Sequence, residues 1–246
     1  MRNFKLHLAY DGSRYKGWQR LGNTDQTIQG KLEAVLSKMT GTSIEVIGSG
    51  RTDAGAHAAG QVANFHADTQ MTADEICAYL RHYLPEDIGV LSVQEIDERF
   101  HSRYHAREKT YVYRIWNSDL PCVFERKYVW AVSDQFDLYA MKQAANVFLG
   151  THDFLAFCSN KHFKKSSVRT IYGLDIDQIG EELRFTVTGD GFLYNMVRIM
   201  VGTLLAVGRG ELRPEDISKI LESRRRELAG ETVPAKGLCL MEVRYE

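Results

Sequence analysis

The sequence predicts an α+β protein (an α/β mixture with antiparallel sheets) made of two halves of similar plan. Three observations carry that expectation. Several stretches alternate apolar and polar residues, the period of a half-buried strand. Others repeat apolar residues at helical spacing. Over the first hundred residues or so the order of these patterns is β-α-β-β-α-β, the split βαβ or ferredoxin-like arrangement. The chain has 246 residues, 44% of them hydrophobic and 26% charged, enough for one large domain or two small ones.

Phe4, Leu6, Leu8 and Tyr10 alternate with other residues, predicting a strand over 3–10. Ile28, Leu32, Val35, Leu36 and Met39 recur at helical spacing, predicting a helix over 27–39. Residues 43–47 read as a strand, and 48–60 as a flexible connection of glycines and alanines with little to bury. Val62, Asn64 and His66 alternate with Ala63 and Phe65 in another strand. Thr72 followed by Glu75 is a capping box that opens a helix, Pro85 closes it, and residues 89–96 return as a strand.

The second half reads as strands at 109–117 and 127–132, a helix at 137–148, a hairpin at 168–177 and 183–188, helices at 192–207 and 214–224, and a closing strand at 238–244. This gives an N-terminal half over 1–100 and a C-terminal half over 101–246, with 97–108 as the crossover. Two such sheets, set as a pseudo-symmetric pair, are expected to leave a central cleft.

Composition excludes several classes. The longest mostly apolar stretch, 199–207, falls short of the roughly 20 residues a membrane helix needs. The N-terminus enters the strand pattern at once, with no apolar export segment. Cys77, Cys122, Cys158 and Cys239 lie far apart without a C-x-x-C pair, so reduced cysteines, no metal and a cytoplasmic location are expected.

Net charge is −1, so a nucleic-acid face must come from uneven placement of charge. Three segments mix cations with aromatics. Residues 99–114 carry Arg99, Arg103, Arg107, Lys109 and Arg114 with Phe100, Tyr104, Tyr111 and Tyr113, against Glu108 alone. Residues 161–169 carry Lys161, Lys164, Lys165 and Arg169, and residues 12–20 carry Arg14, Lys16 and Arg20 with Tyr15 and Trp18. Together they predict an RNA-binding face. His101 and His105 make a poor metal pair: in a strand they would stand about 13 Å apart.

The segment 48–60, GSGRTDAGAHAAG, sets one carboxylate, Asp53, among small residues. By itself such an aspartate is either a turn former or a reactive group offered to a bulky substrate. The loop lacks the spacing and lysine of a phosphate-binding P-loop. Tyr111 by itself reads as a packed strand residue, and Arg198 as a snorkelling helix residue.

The loop GRTDAGAHA resembles the catalytic motif of the tRNA pseudouridine synthase A (TruA) family. YDGSRYKGWQR at 10–20, FHSRYHAREKTYVYRI at 100–115, FLYNMVRIMVG at 192–202 and KGLCL at 236–240 resemble the family's other motifs, in family order. The resemblance covers essentially the whole chain. It implies two ferredoxin-like halves around a basic cleft, a homodimer, and no cofactor or metal. It also implies isomerisation of uridine to pseudouridine in the tRNA anticodon stem-loop, at tRNA positions 38, 39 and 40.

Carried onto matching positions, the resemblance makes Asp53 the nucleophile and Arg51 the residue that helps displace the target base. Tyr111 becomes the ring stacked on the flipped uracil, Arg198 the partner of the carboxylate, Leu238 an apolar contact near the base, and Arg103 a tRNA contact. These residue types suit the chemistry. A base inside a helix must be flipped out to be reached. A carboxylate splits one hard step into two through a covalent intermediate. In a dry pocket a carboxylate drifts toward its neutral form, and an adjacent guanidinium opposes that drift. The competing readings are an RNA-binding chaperone using the same face, and a paralogue that modifies uridine in ribosomal RNA.

Overall fold

The computed structural model describes residues 1–160 and 165–246. Lys161 and Lys164 of the third cationic segment therefore lie outside the described residues. Among the described residues there are ten strands and five α-helices. They form two compact units, Met1–Arg107 with Cys239–Glu246, and Glu108–Leu238.

The first unit contains β1 (Arg2–Tyr10), α1 (Ile28–Thr40), β2 (Val46–Gly48), β3 (His57–Ala67), α2 (Ala73–Tyr83) and β4 (Ile88–Ile96). β1 lies antiparallel between β4 and β3, and β2 lies antiparallel on the far edge of β3. The order β4-β1-β3-β2 is what a βαββαβ chain produces when each helix carries the chain over one intervening strand. Phe4, Leu6 and Leu8 of β1 are fully buried, as are Ile28, Leu32 and Leu36 of α1 and Ile76 and Leu80 of α2. Helix starts follow local chemistry. The Thr27 hydroxyl accepts from Gly30 N–H, and the Thr72–Glu75 capping box is closed in both directions.

Two expectations need correction here. The strand expected at 43–47 is only Val46–Gly48, and β3 begins at His57, inside the segment read as a flexible connection. Gly60 explains why that segment can be a strand: a Cβ there would stand 2.1 Å from Met241 O, so only glycine lets the neighbouring strand this close. That neighbour is β10 (Leu238–Arg244), parallel to β3, with Cys239 opposite His57 and Leu240 opposite Ala58. Sequence order sets this strand at the end of the second half, whereas pairing sets Cys239–Glu246 in the first unit. An alternating pattern shows that a strand forms; it does not encode the partner.

The second unit contains β5 (Glu108–Asn117), β6 (Trp130–Val132), α3 (Leu138–Val147), β7 (Gly150–Asp153), β8 (Val168–Ile179), β9 (Glu182–Gly189), α4 (Met196–Gly208) and α5 (Asp216–Ser223). β5, β9, β8 and β7 pair antiparallel in that order, and β6 runs parallel to the end of β5. α4 is buried at every position except the half-buried Arg198. A Cβ at Gly202 would stand 2.1 Å from Glu231 O, so the 229–233 segment lies directly on this helix. β7 is four residues long, with exposed and half-buried positions, and leaves no apolar pattern to read. The strand expected at 127–132 shortens to β6. No helix among the described residues is long and apolar enough to cross a membrane.

Candidate active site

Residues 49–56 connect β2 to β3 and carry Asp53. The loop is fixed rather than flexible. Ser49 N–H donates to Val62 O at 2.7 Å, and Ser49 Oγ donates to Gln61 Oε1 at 2.6 Å. Gln61 Nε2 donates to Gly50 O at 3.1 Å and to the Tyr10 hydroxyl at 3.3 Å. That hydroxyl and Thr52 Oγ1 are 2.8 Å apart. Burial pushes the Tyr10 phenol pKa up, against the hydrogen bonds to Thr52 and Gln61, so the hydroxyl stays neutral. Ala56 N–H donates to Asp53 O at 3.1 Å, closing a turn in which Gly55 has φ +82°. A positive φ carries no steric cost for glycine, so Asp53 opens a turn that its own sequence favours. Its side chain is half-buried.

The segment read as a cationic RNA face, residues 12–20, forms the floor of this loop. A Cβ at Gly12 would lie 1.8 Å from Ala56 O, and one at Gly17 (φ +96°) would lie 2.7 Å from Thr52 O. Trp18 N–H donates to Thr52 O at 3.1 Å. The Trp18 ring occupies the place where a Cβ of Gly48 would be, 2.5 Å away. Tyr15 and Trp18 are buried. Arg14 pairs with Asp87 at 2.6 Å, and Arg20 pairs with Glu33 at 3.0 Å. These aromatics are therefore core, and two of the three cations are already paired.

Residues 100–105 fold as a turn tied to β3 and β2. Ser102 is fully buried. Its N–H donates to Asn64 Oδ1 at 2.9 Å, its hydroxyl donates to Ile47 O at 2.5 Å, and its carbonyl accepts from the Tyr245 hydroxyl at 2.8 Å. This anchor fixes the turn that carries Arg103. Burial and the Arg51 charge both lower the Arg103 pKa. Two residues expected to touch RNA thus meet next to the Asp53 loop. His101 and His105 are not strand residues: His105 N–H donates to His101 O at 3.1 Å across the turn. The 13 Å separation argued from a strand therefore does not apply. Among the described residues, no three His, Cys, Asp or Glu side chains are placed to hold a metal.

In the second unit Tyr111 sits on β5 opposite Val187 and is buried. Its ring meets Phe192 edge-on, with centroids 5.2 Å apart at 85°. α4 starts later than the expected 192, because Asn195 takes φ +62° and serves as its N-cap. From there Asn195 Oδ1 accepts from Arg198 Nη1 at 2.8 Å, while Val233 O accepts from Arg198 Nε at 2.7 Å. The guanidinium of Arg198 is thereby held in one plane. Its charge also opposes the rise in pKa that burial imposes on the neighbouring Tyr113 phenol. Leu238 is buried. The glycine before it is required, since a Cβ at Gly237 would lie 2.7 Å from Arg114 O. Tyr113 and Arg114, counted above among the RNA-facing residues, are occupied: Tyr113 is fully buried with its hydroxyl on Pro234 O, and Arg114 pairs with Glu182 and Glu125.

The family described as tRNA pseudouridine synthase matches this chain at residues 7–105 and 144–246. The chain belongs to this family. A relative named tRNA pseudouridine synthase A from Bacillus sp. (strain KSM-64) is 53% identical over 230 residues, 94% of each chain. One named tRNA pseudouridine synthase A 2 from Bacillus cereus (strain ZK / E33L) is 47% identical over 245 residues, 100% of each chain. Another, tRNA pseudouridine synthase A of Acetivibrio thermocellus, is 46% identical over 245 residues, 100% of each chain. Among solved structures, a chain of a Cbf5-Nop10-Gar1 complex aligns over 82% of this chain and 45% of its own at a TM-score of 0.36 and 12% identity, too weak a likeness to bear on fold or function.

Several structural residues around the candidate residues of each unit escaped sequence reasoning. Phe192, against Tyr111, and Asn195, which orients Arg198, both lie in FLYNMVR. Their signal was the motif itself, since neither residue type alone implies those contacts. Tyr10, which holds Thr52, opens the motif YDGSRYKGWQR; Gln61, which holds Gly50, had no sequence signal beyond its place in a strand.

Proposed function

We propose that this chain isomerises uridine to pseudouridine in tRNA, with Asp53 as the nucleophile. One observation carries the reading: membership of the tRNA pseudouridine synthase family over both matched stretches, the first of which contains the Asp53 loop. In the reaction the C1′–N1 bond breaks, the uracil turns, C5 bonds to C1′, the C5 proton leaves and N1 gains one. The isomerisation consumes no co-substrate. A carboxylate that bonds covalently to the nucleotide splits the isomerisation into two easier steps. The rigid loop supports this reading, because a nucleophile held in place pays little to reach its attack geometry.

In the same proposal Tyr111 stacks on the flipped uracil, a contact worth about 1–3 kcal/mol. Arg198 pairs with the carboxylate, Leu238 packs near the base, Arg51 helps displace the target, and Arg103 contacts tRNA. The substrate region is the anticodon stem-loop, at tRNA positions 38, 39 and 40. The enzyme works in the cytoplasm as a homodimer without cofactor.

The test is tritium release from tRNA labelled at uridine C5. The protein releases tritium, and Asp53→Asn abolishes release while tRNA affinity stays within about tenfold, about 1.4 kcal/mol. Turnover by Asp53→Asn well above background overturns the assignment. Light scattering at micromolar concentration checks the dimer.

A further inference from the structure

Tyr104 is 78% exposed, an unusual position for a large aromatic ring in an otherwise tightly anchored turn. Its ring stacks on His101, with centroids 4.2 Å apart and planes 32° from parallel. His101 is itself fixed. Its Nδ1 accepts from the N–H groups of Arg103 and Tyr104 at 3.2 and 3.3 Å, and its own N–H donates to His105 Nδ1 at 3.3 Å. Burial and the neighbouring Arg103, His105 and His66 lower its pKa, against a backbone hydrogen bond that raises it. The imidazole is therefore a neutral, flat backing for Tyr104. Below it, buried Ser102 ties the turn to Asn64 and Ile47.

Arg103, next to Tyr104 in the chain, is close enough to Arg51 for like-charge repulsion to register. Among the described residues neither has an ion-pair partner. Two guanidiniums without an acid next to an open aromatic face suit one chemistry, a phosphate with an adjoining base. Base flipping supplies a reason for such a pair. When the target leaves the helix, each flanking base loses a stacking partner, and an aromatic ring at that position replaces it.

We propose that Arg51, Arg103 and Tyr104 form a second nucleotide subsite beside the Asp53 loop, in which Tyr104, backed by His101, stacks on the base flanking the target uridine and the arginines hold the intervening phosphate. The inference rests on the reading of this chain as a tRNA-modifying enzyme and adds a nucleotide that the reaction does not alter.

The test is a protein–RNA mutant cycle. Equilibrium binding of whole tRNA is measured for the unaltered protein, Tyr104→Ala and Tyr104→Phe. The tRNA is either intact or carries an abasic nucleotide on one or the other side of the target. Tyr104→Ala is expected to weaken binding of intact tRNA about tenfold, and Tyr104→Phe to restore it. At one flanking position the abasic substitution weakens binding by a similar factor, and combining it with Tyr104→Ala adds little further. Losses that multiply at both flanking positions overturn the subsite, as does a Tyr104→Phe variant as weak as Tyr104→Ala. Tritium release is read in parallel. Coupling without turnover keeps the subsite and removes the enzymatic reading; turnover without coupling does the reverse.

Discussion

Segments 12–20 and 99–107 have similar compositions, arginines interleaved with aromatic rings, and they end in different environments. In the first, Tyr15 is 4% and Trp18 1% exposed, and Arg14 and Arg20 hold Asp87 and Glu33. In the second, Tyr104 is 78% exposed, and Arg103, whose pKa the Arg51 charge helps lower, has no ion-pair partner among the described residues. The difference comes from distant residues. Asp87 lies 73 positions from Arg14, and the space for Trp18 exists because position 48 is glycine. A window of sequence shows cations and rings but not the acids and glycines that decide whether they face RNA or the core. The first segment is the floor under the Asp53 loop, and the second is a turn anchored on the same unit.

This contrast can be broken most directly at the two rings. Trp18→Ala should destabilise the protein by about 3–5 kcal/mol, the usual cost of emptying a buried aromatic site. Tyr104→Ala should change stability by less than about 0.5 kcal/mol. Urea unfolding midpoints decide between them, and a tolerant Trp18→Ala would dissolve the distinction. Next in size is Gly12→Ala. Its Cβ would collide with the Ala56 carbonyl, so a loss of about 1–3 kcal/mol is expected. Turnover should fall further than tRNA affinity, because Ala56 closes the Asp53 turn.

Tyr10→Phe sharpens the role of the floor. It removes the hydroxyl shared by Thr52 and Gln61, costing about 1–2 kcal/mol of stability. Here kcat should drop with KM nearly unchanged, since the loop loses its anchor and not its RNA contacts. The smallest effect is electrostatic. Arg103→Gln should reduce the slope of log K against log salt by about 1, the signature of one lost phosphate contact. Arg14→Gln, whose guanidinium is already held by Asp87, should leave the slope unchanged. Equal slopes for both variants would mean that segment 99–107 is no more an RNA surface than 12–20.

Local chemistry made much of the fold legible. The alternation of Phe4, Leu6 and Leu8, the helical spacing of Ile28, Leu32 and Leu36, and the Thr72–Glu75 capping box each form the element they predict, because each depends on neighbours within a few residues. The candidate site was legible through motifs: Asp53, Arg51 and Arg103 lie in recognisable strings, and the first unit gathers the two arginines near the loop. Other features needed the folded chain. β10 joins β3, the loop at 49–56 is held by Gln61 and Tyr10, and Tyr15 and Trp18 turn inward while Tyr104 stays open. In each case the deciding partner is far away in sequence. Secondary structure and motif chemistry are set by residues close along the chain, whereas burial, pairing and the exposure of a side chain are set by whatever the fold brings against it.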